Sequence, residues 1–396
     1  MSQIPWGNNQ NLNEDQFYNR NKELTTFKSF LETTSTGNPP DILLTGLRGI
    51  GKTVFLKKIK KELEKDYLVI YMDFSQAGLN KNNKTTIKSI LEYYCKKIIL
   101  ECNDSKIKNI NKKLDKFFKT NDFFIKDFTH IKGLPIPIFG AETNNEDLMD
   151  FVLTLPEKIY EKNKDNIKGI IIFIDEFQTI RRLNRYTESF LWKLRSYIQN
   201  QRHIAYVFSG SMSIQDNLIT EIASKQGVFG GRMLTFNLRP FSKQTVNNYL
   251  SEKTPELTFT DKGFERFYKC TSGIPAYINI FARILPKNSL LDEKDVINEF
   301  DESIYYIASH LINIWAGLSY REQTIITSLI DKPLRRIDIA ENIGLSSGSL
   351  GQYLINLQNL SLIGFTNNKY FLSEPLIKRW LKSEYRSKGD YPYNFI

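Results

Sequence analysis

From Asp41 to Glu64 the chain reads DILLTGLRGIGKTVFLKKIKKELE, and this stretch limits the possible folds more than any other part of the sequence. Asp41 to Thr45 is a short apolar run of the kind that forms a buried strand. Glycines at 46, 49 and 51 break it, and helical spacing restarts at Lys52 and runs to about Glu64. The residues match G-x-x-x-x-G-K-[ST] in the strand–loop–helix setting that gives this pattern its meaning, that of a P-loop. Without Cβ atoms the glycines let backbone N–H groups close around a phosphate, and the start of the helix adds partial positive charge. The expected phosphate contacts are Gly46, Leu47, Arg48, Gly49, Ile50, Gly51, Lys52, Thr53 and Val54. Lys52 is expected to reach the β- and γ-phosphates as a solvent-reaching charge, and the Thr53 hydroxyl to be a Mg²⁺ ligand. ATP and Mg²⁺ are the expected ligands.

A second landmark lies at Gly169–Gln178, where Ile170-Ile171-Ile172-Phe173-Ile174 runs into Asp175-Glu176. A continuous β-branched run marks a strand buried on both faces of a parallel sheet. Acidic residues at its C-terminal end stand where open α/β sheets bind ligands. Asp175 is expected to hold Mg²⁺, directly or through water, and Glu176 to polarise the attacking water. The next apolar run, Ile204–Gly210, ends in Ser209-Gly210-Ser211. Ser209 or Ser211 could orient that water and sense the γ-phosphate, or could simply be a turn serine.

The remaining chain suggests three parts. An ATPase core is expected over 1–239, with an insertion at about 75–168 that carries no catalytic pattern. Within the core, a helix with Leu24, Phe27, Phe30 and Leu31 at helical spacing precedes the P-loop strand. Tyr67–Phe74 reads as a strand, Thr85–Leu100 and Glu146–Lys162 as helices, Gly133–Gly140 as an extended arm, and Met233–Leu238 as a fifth strand opened by Gly230-Gly231-Arg232. A helical lid follows over 240–316, with Gly273-Ile274-Pro275 starting one helix and a long amphipathic stretch from Asp295 to Trp315. Residues 317–396 read as a winged helix-turn-helix: helices at Tyr320–Leu329, Arg336–Ile343 and Ser347–Leu360, then a hairpin around Asn367-Asn368.

At 396 residues the chain is long enough for several domains, and 41% hydrophobic with 25% charged residues is the balance of a soluble globular protein. No apolar run approaches a membrane span, and MSQIPWGNNQ lacks the layout of a signal peptide, so a cytoplasmic protein without membrane contact is expected. Three scattered cysteines, Cys95, Cys102 and Cys270, argue for packed, reduced thiols rather than disulfides or zinc ligands. The net charge of +10 is uneven, since residues 81–132 hold 13 lysines against 6 acidic residues. A solvated lysine-rich face explains that segment as well as a nucleic-acid contact does.

Taken together, GLRGIGKT, IIIFIDEFQ, VFSGS, the Gly-Arg before the fifth strand, the Gly-Ile-Pro helix start and the C-terminal winged helix occur in the order found in AAA+ ATPases. The chain most resembles the archaeal-type ATPase family, related to origin-recognition initiators and to the STAND signalling ATPases. The resemblance implies an α/β P-loop core with a parallel αβα sheet, a helical lid and a winged helix. It implies an arginine finger at Arg232 and an adenine-contacting box over Phe17–Leu24, including Tyr18 and Arg20. It also implies a lid motif, containing Pro275, that replaces the usual lid arginine and suits slow turnover. Arg232, expected at the sheet edge and facing away from its own P-loop, could complete a neighbouring subunit's site in a homo-oligomer, or pair with a carboxylate at the strand edge.

Two functions follow from different classes. In one, nucleotide state controls a winged helix that grips double-stranded DNA, with Ser347, Ser349, Gln352, Asn356 and Gln358 toward base edges and Arg335, Arg336 and Lys369 toward phosphates. In the other, the winged helix is a packing module of a signalling switch and touches no DNA. The third helix carries no Lys or Arg, and residues 317–396 hold ten basic against seven acidic residues, which suits weak DNA binding at most.

Overall fold

The computed structural model describes residues 4–5, 13, 16–77, 85–104, 125–131, 134–140, 144–210, 222 and 227–394. Its strands are β1 Asp41–Thr45, β2 Leu68–Asp73, β3 Ile125–Ile131, β4 Leu134–Phe139, β5 Ile170–Asp175, β6 Ile204–Ser209, β7 Leu234–Asn237, β8 Thr258–Phe259, β9 Leu290–Leu291, β10 Ile363–Thr366 and β11 Lys369–Leu372. Five of them form one sheet in the order β2-β5-β6-β1-β7, with every neighbouring pair parallel. Parallel pairing requires a long crossover between strands, and helices supply it.

Alternation along the strands splits the apolar residues between two layers. Ile42, Leu44, Ile171, Phe173, Ala205 and Val207 pack with Phe27, Phe55 and Ile59 of the helices Asn21–Glu32 and Lys52–Leu63. Leu43, Ile70, Ile172, Ile174, Tyr206 and Phe208 face the helices Ile87–Asp104, Asn145–Glu161 and Thr187–Ile198. The register pairs Asp73 with Asp175, Ile174 with Phe208 and Leu44 with Ser209. The C-terminal ends of four strands therefore finish level with one another, beneath the P-loop.

The expected insertion holds the helix Ile87–Asp104, which covers the sheet, and a hairpin in which β3 pairs antiparallel with β4. The arm expected near 133–140 is β4. Its partner β3 went unread because Lys126 to His130 are exposed and give no apolar alternation. Residues 81–84, 105–124 and 132 of the lysine-rich stretch lie outside the described residues, as does Ser211.

After β7 come the helices Lys243–Lys253, Asp261–Thr271, Pro275–Ile284, Glu293–Ile307 and Ser309–Ala316. The single stretch expected from Asp295 to Trp315 is two helices that break at Ala308. The break aims Trp315 at Trp380, with ring centroids 5.7 Å apart at 81°. Next are the helices Tyr320–Ser328, Arg336–Asn342 and Gly351–Asn359, the antiparallel hairpin β10–β11, and the helix Pro375–Lys388. That last helix was not read from the sequence, although Glu374 caps it, Pro375 opens it and Gly389 closes it. It packs back on Glu293–Ile307, where Arg379 pairs with Asp301 at 3.0 Å and lies over the Phe300 ring. Cys95, Cys102 and Cys270 are buried and form no disulfide, and no described helix is long and apolar enough to cross a membrane.

Candidate nucleotide site

The P-loop joins β1 to the helix Lys52–Leu63 and closes over the sheet's C-terminal edge. Gly46 has φ 149°, and a Cβ there would stand 2.8 Å from the Leu238 carbonyl, so only glycine lets the loop pass β7 so closely. Gly49, at φ 77°, would place a Cβ 2.9 Å from that of Ala276, and its carbonyl accepts the Ala276 N–H at 3.2 Å. The lid helix Pro275–Ile284 is thereby bound directly to the phosphate loop.

Lys52 does not reach solvent as the sequence reading expected. It is 5% exposed, and its Nζ donates to the carbonyls of Gly46 at 2.9 Å and Leu47 at 3.2 Å. Those carbonyls give hydrogen-bond partners to an ammonium that burial strips of water. Burial pushes its pKa down to about 8, against the pull of Asp175 and Glu176. Thr53 Oγ1 donates to Asp175 Oδ2 at 2.6 Å, and the Tyr71 hydroxyl donates to the same oxygen at 2.8 Å. The Glu176 N–H donates to Asp175 Oδ1 at 3.0 Å. Glu176 sits in left-handed backbone at φ 53° and accepts from Gln178 Nε2 at 2.5 Å. Burial first, then the Asp175 charge, raises its pKa. Ser209 ends β6 between these partners, fully buried, and its Oγ has no hydrogen-bond partner.

These groups fit a magnesium nucleotide. Mg²⁺ takes oxygen ligands, usually one or two carboxylates together with substrate phosphates. Among the described residues no group of three or more His, Cys, Asp and Glu could hold a metal by itself. Thr53 and Asp175 would hold the ion, which would supply charge neutralisation on the phosphates.

A cleft beside the P-loop is lined by Phe17, Tyr18, Arg20, Ile50, Val54 and Tyr249, with Gly49, Gly51 and Pro275 completing the wall. Tyr18 and Tyr249 lie with ring centroids 4.9 Å apart. Arg20 lines this cleft, but its guanidinium is committed elsewhere: it donates to the Arg239 carbonyl at 2.8 Å and to Glu23 at 3.1 Å, over the Phe241 ring. It ties the N-terminal segment to the approach of the lid.

Arg232 is not brought to this site. It is exposed and lines a separate cleft with Asp41, Arg202 and Leu234 at the N-terminal end of the sheet. In the C-terminal region, Ser347, Ser349, Gln352 and Lys369 are exposed, while Asn356 is half-buried and donates to Glu322 at 2.5 Å. Arg335 makes a two-pronged contact with Asp338, at 3.0 and 2.8 Å. Arg336 donates to the carbonyls of Ser347 at 2.6 Å and Gly348 at 3.1 Å. Both arginines are engaged with their own chain.

Sequence reasoning missed three residues. Tyr71 shares a sheet face with Asp175, a fact that depends on β2 pairing with β5. Glu374, 6% exposed at the start of the helix Pro375–Lys388, lies beside Tyr277 of the lid. Burial raises its pKa, against the opposing influence of Tyr277 and of Arg48 on the P-loop. His310 stands against Tyr277 as well, and burial, aided by the Arg48 charge, holds its pKa at about 4. No spacing in the sequence links these residues, which meet only through packing. The helix Gly351–Asn359 also packs against the Phe177–Tyr186 turns that follow Glu176.

Residues 17–281 match the family described as an ATPase domain predominantly from Archaea. A Walker-type ATPase of Pyrococcus abyssi superposes with a TM-score of 0.57 at 16% identity, covering 94% of this chain and 99% of that one. The ORC2 protein of Aeropyrum pernix, solved as ADPNP–ADP complexes, gives 0.50 at 13% identity, over 98% of this chain and 100% of its own. At such identities the likeness establishes the fold, a parallel-sheet P-loop core. A search of curated proteins gives no significant match.

Proposed function

The chain belongs to the archaeal family of ATPase domains, and from that premise we propose a nucleotide switch in which ATP and Mg²⁺ at the P-loop set the position of the C-terminal module, residues 317–396. Lys52, Thr53 and Asp175 bind the nucleotide and ion, Glu176 is the base for the attacking water, and Ser209 senses the γ-phosphate. Turnover is slow, because Gly273-Ile274-Pro275 brings no arginine to the lid side of the phosphates. One observation carries the coupling. Glu374, from the C-terminal module, is buried beside lid Tyr277 and within electrostatic reach of P-loop Arg48. A charge arriving at the phosphate loop competes for Arg48 and so changes what holds the module down.

A duplex-gripping role for residues 317–396 draws less support, because Arg335 and Arg336 are already bound to Asp338 and to the Ser347 and Gly348 carbonyls. Small-angle scattering in ADP and in a non-hydrolysable ATP analogue tests the switch. A larger radius of gyration is expected in the analogue, and Glu374→Ala is expected to give that larger radius in ADP. Identical profiles in both nucleotides would sink the proposal. Duplex affinity measured against salt is expected to give a shallow slope; a steep one would restore the DNA reading.

A further inference from the structure

We infer that Tyr71 is the positioning residue that sets how tightly Asp175 takes a divalent cation. The inference rests on the reading above that Thr53 and Asp175 hold Mg²⁺, and it concerns a side chain outside the P-loop and the Asp-Glu pair.

Tyr71 lies on β2, two residues before Asp73, which pairs with Asp175 across the β2–β5 ladder. Side chains two apart on a strand share a face, so Tyr71 reaches diagonally forward to the carboxylate. Its hydroxyl donates to Asp175 Oδ2 at 2.8 Å, the oxygen that also accepts from Thr53 at 2.6 Å. The Glu176 N–H holds the other oxygen at 3.0 Å. Asp175 is 1% exposed, and its described donors are these three groups. Of the three, Thr53 is itself a candidate ligand and Glu176 N is fixed by the backbone. Tyr71, which also interacts with the Thr53 hydroxyl, is the side chain that holds the carboxylate without itself being a candidate ligand. A phenol, with an ordinary pKa of about 10, stays protonated and donating at neutral pH. Such a hydrogen bond orients a ligating carboxylate, and losing one generally costs roughly 10–100-fold in metal affinity.

The test uses the full chain and Tyr71→Phe, which removes only the hydroxyl. Affinity for fluorescent ADP is measured in EDTA and across a Mg²⁺ titration. Metal-free affinity is expected to stay within about twofold of wild type, while the Mg²⁺ midpoint rises roughly 10–100-fold. An unchanged midpoint overturns the inference. Equal weakening with and without Mg²⁺ marks a residue that merely supports the fold and overturns it as well. In an Asp175→Asn background, Tyr71→Phe should leave the midpoint where Asp175→Asn put it; a further rise of the same size also counts against the inference. Should wild type bind no nucleotide, or bind it without any response to Mg²⁺, the nucleotide reading itself is what fails.

Discussion

The sheet carries an aspartate at each end, fully buried at one and half-buried at the other, and the two are treated very differently. At the C-terminal end, Asp175 accepts from Thr53, Tyr71 and the Glu176 N–H, within a loop of open glycines and a helix start. At the N-terminal end, Asp41 opens β1, and burial alone pushes its pKa up to about 7. The difference is one of strand polarity. In a parallel sheet the chain leaves each strand's C-terminal end into a loop and a helix N-terminus, which present N–H groups to an anion. At the opposite end helices arrive with their carbonyl ends, and a carboxylate finds no such donors. The carboxylate at one end is held by three donors, whereas at the other burial raises its pKa.

The sharpest test of the comparison is Lys52→Ala. Removing a buried ammonium from the phosphate site is expected to weaken nucleotide binding by about 100-fold or more, measured by calorimetry. The sheet should stay folded, because Lys52 lies on the helix after the loop and Nζ donates to the loop carbonyls of Gly46 and Leu47. Unchanged affinity would mean the glycine loop is not the phosphate site.

Glu176→Gln follows, with retained ATP binding and hydrolysis slowed by roughly 10²–10⁴. Hydrolysis equal to wild type in a phosphate-release assay would remove Glu176 as the base.

Arg232 probes the other end. If that end serves a second subunit, activity per chain rises with protein concentration and Arg232→Ala loses most of it. Mixing Arg232→Ala with Lys52→Ala subunits should then restore part of the rate, since each contributes what the other lacks. Concentration-independent hydrolysis with no recovery on mixing would leave the N-terminal end without a catalytic role.

The smallest effect is expected at Asp41. Because its folded pKa is raised from 3.8 to about 7, the folded state binds the proton more strongly than the unfolded chain. Stability therefore falls as pH rises through that window. Asp41→Asn, neutral at every pH, is expected to raise the melting temperature at pH 8 and to change it little near pH 3.5. A substitution effect independent of pH would show that Asp41 has a partner when ionised.

Much of the core was legible because its signals are local. DILLT, IIIFID and IAYVFS are strands at almost the residues that the apolar runs mark, and the helix begins at Lys52 as the P-loop pattern requires. β3 was missed because an exposed strand has no alternation to read. Arg20 was assigned to the base from its motif, yet its guanidinium went to a carbonyl 219 residues away. Arg335 and Arg336 looked available for phosphates until Asp338 and the Ser347 and Gly348 carbonyls claimed them.

The sequence alone determined the parallel core, the glycine loop, the lysine and threonine that open the helix after it, and the acidic pair at the end of β5. Each depends on neighbours within a few residues, where backbone sterics and strand or helix periodicity act directly. Tertiary structure decided that Tyr71 would share the Asp175 oxygen, that Lys52 would fold into its own loop, and that Glu374 would lie beside Tyr277 near Arg48. Those contacts join residues up to hundreds of positions apart. They follow from strand order and from how the helical segments close over the sheet, and no local pattern records either.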